Sequence, residues 1–198
     1  MNSEEIDKII EQHELWLNYG GDVGKKANFH GSRLKDIDLR DSDFQNVDFS
    51  EADLRGANFS RSNLQKANLQ MAKLKGATFE RASLREASLQ RADVRSANLW
   101  YVDLQYADLN GADLESASLQ YTDLGNAILI GANLIKANLM NASLVGAYLE
   151  SANLCGAILD NTDFSEAMMS SIIIGAKNLS KIPSKLVDQY GKTFWVIE

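Results

Sequence analysis

The residues that most often carry chemistry are scarce in this sequence and widely spaced. There are two histidines, His13 and His30, and one cysteine, Cys155. General acid–base catalysis needs a positioned imidazole or a pair of carboxyl groups, and a metal site needs several ligands that converge on one point. A nucleophilic cysteine needs a neighbour that stabilises its thiolate. The spacing of these three residues provides none of these arrangements.

Carboxylates are plentiful, but their spacing indicates structure rather than catalysis. The chain has 27 Asp and Glu residues, and many of the aspartates recur at one place in a five-residue unit. No glycine-rich nucleotide-binding fingerprint occurs. We therefore expect that the protein is not an enzyme and that it binds no cofactor and no metal.

The five-residue unit organises most of the chain. Leu, Phe, Val, Met or Ile occupies every fifth position from Phe29 to Leu179, in 31 units, and Ala stands two residues earlier in 21 of them. A helix needs apolar residues three or four apart and a strand needs alternation, so neither pattern fits. Side chains two residues apart share one face of an extended segment, and the other residues must turn a corner. The pattern predicts a narrow β-solenoid with an axis of Ala and Leu.

Units such as ADLRG at Ala52, ADLNG at Ala112 and ANLIK at Ala132 carry an A(D/N)Lxx pattern. On these units the chain resembles the pentapeptide-repeat proteins over about three quarters of its length. The resemblance implies an all-β solenoid, namely a right-handed quadrilateral β-helix with four units in each coil. Its units would make nearly eight coils and a rod about 35–40 Å long at the usual strand spacing of ~4.8 Å. The leucines expected in its core include Leu104, Leu109, Leu114, Leu129, Leu134, Leu139 and Leu144.

An amphipathic helix is expected at the N-terminus. Residues 3–19 have apolar residues at helical spacing, and Gly20 and Gly21 end the pattern. The open end of a solenoid exposes unpaired strand edges and core side chains, which need cover. We expect the helix to cover the first coil with Trp16 packed against it; contact of Trp16 with a partner protein is the alternative.

A second cap is expected at the C-terminus, where the repeat ends. Residues 184–190 are compatible with a short helix, and Phe194 and Trp195 would close the open end or form a dimer seam. The predicted parts are a capping helix and linker over residues 1–24, a β-helix over residues 25–179 and a helical or extended cap over residues 180–198.

Composition limits the classes of function and location. The formal charge of −7 and the pI near 4.9 argue against direct binding of nucleic acid, which needs a basic surface. The single cysteine excludes an intramolecular disulfide framework. The acidic N-terminus lacks the apolar core of a secretory signal, and no run is long enough for a transmembrane helix. We expect a soluble cytoplasmic protein that does not contact membranes.

Outward residues that lie 20 apart fall into columns when they are sorted by the predicted coil. Four cations form one such basic column: Lys35, Arg55, Lys75 and Arg95. Like charges at a spacing of ~4.8 Å repel unless carboxylates or bound anions lie between them. Asp53 and Asp93 are predicted on the same face, so one interpretation is neutralisation within the chain. The other is a site for an anion or an acidic partner.

Charge is also segregated along the predicted rod. Nine basic and three acidic residues lie between Arg55 and Arg95, whereas nine acidic residues and one basic residue lie between Asp103 and Glu166. Four outward aromatic residues lie near one edge at the changeover: Trp100, Tyr101, Tyr106 and Tyr121. Exposed aromatic residues beside charges are typical of interface centres, although stacked aromatic rings also stabilise neighbouring coils without a partner.

Outward positions become apolar beyond the changeover, at Ile128, Ile130 and Ile135. Such a patch usually marks a contact surface. We therefore expect a protein partner of unknown identity, or a homodimer formed through an end of the rod or through this patch.

Two hypotheses of function follow. The first is a rigid scaffold for protein interaction without chemistry of its own. The second rests on the family resemblance, because some pentapeptide-repeat proteins protect DNA gyrase by presenting an acidic rod in place of duplex DNA. The net charge and the acidic C-terminal half agree with this second hypothesis, whereas the basic middle does not.

Overall fold

The computed structural model of the chain describes residues 3–175 and 195–197. An N-terminal helix, α1, spans Ser3–Asn18, and short extended segments alternate with turns after it. Three segments are paired as strands: β1 (Asn153–Leu154), β2 (Ile173–Gly175) and β3 (Trp195–Ile197). They form one parallel sheet in the order β1-β2-β3. The other segments are joined by isolated parallel bridges.

Bridges between residues 20 apart define the coil. Asn28 pairs with Asp48, and the series continues in steps of five residues as far as Met168. Backbone hydrogen bonds accompany the bridges, as when Phe29 N–H donates to Asp48 O at 2.7 Å. Four units therefore make one coil, and the predicted quadrilateral β-helix with an N-terminal helix is confirmed. Its right-handedness stays a prediction. The nearly eight coils also stay a prediction, because the last repeat unit, at Leu179, lies outside the described residues.

Inward side chains fill the axis of the coil. The seven leucines named above as core residues are each at most 1% exposed. The first coils use phenylalanine in the same position: Phe29 stacks on Phe49, and Phe59 stacks on Phe79, with 5.1 Å between ring centroids in both pairs. Full burial of one such side chain contributes about 1.5–3 kcal/mol, so the repeated inward position accounts for the stacking of the coils.

The corners of the coil need a left-handed backbone. In every unit between residues 27 and 171, the residue two places after the inward position has a positive φ. Glycine relieves this strain at some corners, such as Gly111, but most corners carry other residues, among them Tyr101 and Tyr121. The left-handed conformation costs such residues about 1–2 kcal/mol each. Hydrogen bonds to the next coil offset this strain, as when Tyr121 N–H donates to Met140 O at 3.2 Å.

Helix α1 packs on the first coil through one face. Ile6 belongs to the same buried cluster as the coil axis, and His13 has no exposed surface. His13 Nδ1 accepts a hydrogen bond from Ala27 N–H at 3.3 Å. The imidazole stacks on Trp16, with 5.7 Å between centroids. Burial lowers the pKa of His13, and the charge of Asp43 opposes this effect.

At the C-terminal end the backbone continues the ladder beyond the repeat. Strand β3 pairs in parallel with β2, so that Trp195 lies opposite Ile173. The edge of β2 is therefore covered by main chain. The predicted helix over residues 184–190 and the predicted plug residue Phe194 lie outside the described residues. The boundaries proposed for the three parts stay predictions.

The filled axis predicts a large cost for truncating an inward leucine. Leu134→Ala should lower the free energy of unfolding by about 2–5 kcal/mol, because it leaves a cavity in a core that is 0% exposed at this position. Met71→Ala, at a corner where the side chain is 50% exposed, should change it by only about 0.5 kcal/mol. Denaturant unfolding followed by circular dichroism measures both. Equal losses in the two variants would contradict the inward placement of Leu134.

His13 predicts a pH dependence of the cap. Because its pKa is lowered in the folded protein, the unfolded chain binds the proton more readily, and stability falls as pH drops through the unfolded value of 6.5. Above pH 6.5 the contribution of the neutral His13 to stability is fully present. His13→Gln keeps an acceptor for Ala27 N–H but does not titrate. The wild type should therefore lose more thermal stability than His13→Gln between pH 7.5 and 5; parallel losses would show that folding does not lower the pKa of His13.

Candidate interaction surfaces

Three side chains that could carry chemistry meet at the first corner, which the sequence did not indicate. His30 Nδ1 lies 2.8 Å from Ser50 Oγ, and Ser50 Oγ donates to Asp48 Oδ1 at 2.6 Å. A serine nucleophile needs its hydroxyl proton directed at a base. Here the proton points to the carboxylate, so His30 donates towards Oγ and does not activate it. Although partial burial acts to raise it, hydrogen bonds from the Ser50 hydroxyl and amide hold the pKa of Asp48 below its ordinary value.

The basic column is largely neutralised by neighbouring carboxylates. Three of its members form ion pairs: Lys35 with Asp36 at 3.3 Å, Arg55 with Asp53 at 2.6 Å, and Arg95 with Asp93 at 2.7 Å. Hydrogen bonds from the guanidinium groups lower the pKa values of Asp53 and Asp93. Lys75 forms no ion pair within the described part of the chain. These contacts favour an internally balanced face over an anion site.

An aromatic stack follows one corner of the coil, where the charge changes sign. Tyr101 and Tyr121 lie one coil apart, with rings parallel to within 7° and 4.7 Å between centroids. Arg81, one coil earlier, places its guanidinium carbon 5.9 Å from the Tyr101 centroid. Trp100 packs edge-on against Tyr101 at 6.3 Å, and its Nε1–H donates to Gln120 Oε1 at 2.6 Å. We call Trp100, Tyr101 and Tyr121 the aromatic edge.

The aromatic edge is exposed and yet held in place by its own contacts. Its three side chains are between 40% and 47% exposed. Stacking and the tryptophan hydrogen bond restrict them before any partner arrives, so little side-chain entropy remains to be lost on binding. Rigid aromatic side chains of this kind often contribute most of the energy of a protein interface.

Tyr106 lies apart from the aromatic edge, contrary to the prediction that all four aromatic residues lie near one edge. It is five residues after Tyr101, which is one unit and therefore one side of the coil. At that next corner Arg85 packs over its ring at 5.0 Å, and Arg85 also lies 3.7 Å from Asp103. Tyr106 is 51% exposed in this separate, charged setting.

The outward isoleucines divide between two sides of the rod. Ile128 bridges to Tyr148, which bridges to Met168, so these three residues form a column that we call the apolar column. Ile130 is 37% exposed and lies two residues after Ile128 in the same unit. Ile135 is half-buried in the following unit, on the next side of the coil. The predicted patch is therefore not one continuous surface.

Two exposed apolar residues beyond residue 150 were missed in the sequence analysis. Ile158 is 42% exposed and Met168 is 41% exposed. Both occupy the position, just before the inward residue, that Asp, Asn or Ser holds in most units. An apolar residue at this outward position is the sequence signal that could have identified them.

The described residues contain no group of three or more His, Cys, Asp or Glu side chains placed to hold a metal ion. Cys155 is a half-buried free thiol, and its amide donates to Asn153 Oδ1 at 3.0 Å. Among the same residues, no helix has the length and apolar character needed to cross a membrane.

The repeats and the coil define a class of protein, and comparison with known families gives the same class. The family profile described as pentapeptide repeats matches this chain with 8 copies over residues 25–61, 62–100, 98–134, 107–146 and 147–171. The chain belongs to the pentapeptide-repeat family. A comparison with curated protein sequences gave no match.

Several solved structures are similar to this chain at low identity. A trypsin-treated variant of QnrB1, a plasmid-mediated fluoroquinolone resistance protein, is 21% identical, with a TM-score of 0.44 over 87% of this chain and 90% of QnrB1. HetL from Nostoc sp. strain PCC 7120, which is involved in regulating heterocyst differentiation, is 27% identical over 88% and 97% of the two chains, with a TM-score of 0.36. Rfr23 from Cyanothece 51142 is 23% identical over 83% and 95%, with a TM-score of 0.25. These scores give no basis for transferring site residues.

The aromatic edge predicts an energetic coupling between its two tyrosines. In a double-mutant cycle of Tyr101→Ala and Tyr121→Ala, the coupling free energy of unfolding should be about 0.5–1.5 kcal/mol, because the stacked rings lose their contact in either single variant. The matched control is the cycle of Tyr106→Ala and Tyr121→Ala, which should show no coupling. Additive losses in the Tyr101 and Tyr121 cycle would contradict the stack.

Proposed function

We propose that this protein is a non-enzymatic, rigid scaffold that binds a partner protein through the aromatic edge. The observation that carries the proposal is the exposed and self-restrained cluster of Trp100, Tyr101 and Tyr121. A surface of this kind binds by shape and apolar contact.

The rod supports this proposal because its backbone and core hold the aromatic edge in a fixed position. Tyr101 and Tyr121 are both corner residues whose amides donate to the next coil, at 3.2 Å each. Directly inside them the axis is packed with buried Ala and Leu, as at Leu119 and Leu124. Sites built on rigid elements hold their geometry better than sites on loops. The filled axis also gives no room for a substrate.

The proposal predicts that partner capture depends on the aromatic edge. Immobilised wild-type rod should retain a specific protein from an extract of the native cell. The Tyr101→Ala/Tyr121→Ala variant should retain at least tenfold less of this protein. Tyr106→Ala, which removes an equally exposed tyrosine at the next corner, should retain the partner. Quantitative mass spectrometry of the bound fractions gives the comparison. Unchanged capture by the double variant would exclude the aromatic edge as the contact.

A second candidate function is mimicry of duplex DNA towards a DNA-binding enzyme such as DNA gyrase. The acidic surplus from Asp103 to Glu166 favours it, and Asp103 and Asp123 lie opposite each other in neighbouring coils. The basic surplus between Arg55 and Arg95 opposes it. A gyrase supercoiling assay with added protein separates the two candidates, because a scaffold without this activity neither inhibits the enzyme nor protects it from a quinolone.

Self-association is a further part of the proposal. The apolar column supports it, because Met168 is 41% exposed beside the half-buried Ile128 and Tyr148, and an exposed apolar surface usually marks a contact.

A further inference from the structure

A groove lies between helix α1 and the segment that leads into the first coil. Its volume is about 270 Å³, and its surface is mostly apolar. We call it the cap groove, and its lining is Lys8, Ile9, Gln12, Lys25, Lys26, Ala27 and Asn28. None of these residues takes part in the aromatic edge or the apolar column.

The walls of the cap groove are fixed by close backbone contacts. Lys25 N–H donates to Gln12 O at 2.9 Å, and Ala27 N–H donates to His13 Nδ1 at 3.3 Å. Gly24 has a φ of +79°, and a Cβ at this position would lie only 2.2 Å from Gln12 O. Only glycine permits so close an approach between the segment and the helix. The groove is therefore a built feature of the cap.

The charged residues that line the cap groove are all basic. Lys8, Lys25 and Lys26 are exposed, and the lining contains no carboxylate. None of the three forms an ion pair within the described residues; Lys26 Nζ instead lies 6.0 Å from the centroid of the Trp16 ring. The charge of Lys26 also acts on Asp48. Three ammonium groups without an ion pair among the described residues, beside an apolar surface, favour an occupant that is both anionic and apolar.

A second groove beside α1 has a different charge pattern and offers a comparison within the same cap. It has a volume of about 320 Å³. Its charged lining residues are two acidic and two basic: Asp7, Asp38, Arg33 and Lys35. Lys35 pairs with Asp36, and Asp38 pairs with Arg40. This second groove is balanced internally, so it has no comparable preference for an anion.

We propose that the cap groove binds a small anionic amphiphile, namely a carboxylate with a short aliphatic chain. The chain would lie on Ile9, Ala27 and the methylene stems of the lysines, and the carboxylate would accept hydrogen bonds from the ammonium groups of Lys8 and Lys25. The volume suits a short chain, since pockets for drug-sized ligands are about 300–1,000 Å³.

Calorimetry of the full chain with octanoate tests both parts of the proposed ligand. Octanoate should bind with one-to-one stoichiometry. Acetate lacks the chain, 1-octanol lacks the charge and octylamine reverses it, so each should bind at least tenfold more weakly. No binding of octanoate at millimolar concentration, or equal binding of octylamine, would overturn the proposal.

Charge variants locate the site. Lys8→Gln and Lys25→Gln should each weaken octanoate binding several-fold, and together at least tenfold, while Lys35→Gln in the second groove should leave it unchanged. Circular dichroism checks that each variant is folded, which these exposed positions should permit. Equal weakening by Lys35→Gln would place the ligand elsewhere and overturn the proposal. The Tyr101→Ala/Tyr121→Ala variant should bind octanoate normally, so failure of partner capture and failure of this inference are separate results.

Discussion

The hydrogen bonds that join each unit to the unit 20 residues later are the constraint on which the rest of the structure depends. Segments of five residues are too short to be stable strands by themselves. Their amides and carbonyls border a dry axis, where an unpaired polar group is costly. Pairing with the coils before and after satisfies them, as at Leu134, whose N–H donates to Asn153 O at 2.8 Å. The same register brings the inward leucines together, so hydrogen bonding and apolar burial favour one geometry.

That register also determines the exterior. Residues 20 apart become neighbours, so outward side chains form ladders along the rod. Tyr101 stacks on Tyr121, and further along the same corner Asn161 Nδ2 donates to Asn141 Oδ1 at 3.1 Å. Two of the five positions in a unit are needed for the core, and the other three can vary between coils. Binding surfaces can therefore change along the rod without a change in its backbone, which is how one rod carries an aromatic edge and an apolar column.

Much of the fold could be predicted from the sequence, because the inward residue recurs at a constant interval. Leu134 could be placed in the core and Tyr121 at an outward corner from the register alone. The separation of Tyr106 from Tyr101 followed from the four-sided coil but was overlooked, since the residues are close in sequence. The pairing of Ser50 with Asp48 and His30 could not be predicted, because it depends on side-chain rotation. The cap groove could not be predicted either, because it depends on how Gly24 brings the linker against α1.

The spacing of coils tests this account most directly. Lys66→Cys and Glu166→Cys, in a Cys155→Ser background, place spin labels at the same corner five coils apart. The mean distance between the labels, measured by double electron–electron resonance, should be about 24 Å. Labels on Asn46→Cys and Glu166→Cys, six coils apart, should give about 29 Å. An increase of one strand spacing for 20 added residues would support the stacked coil. Separations well above these values, or no regular increase, would contradict it.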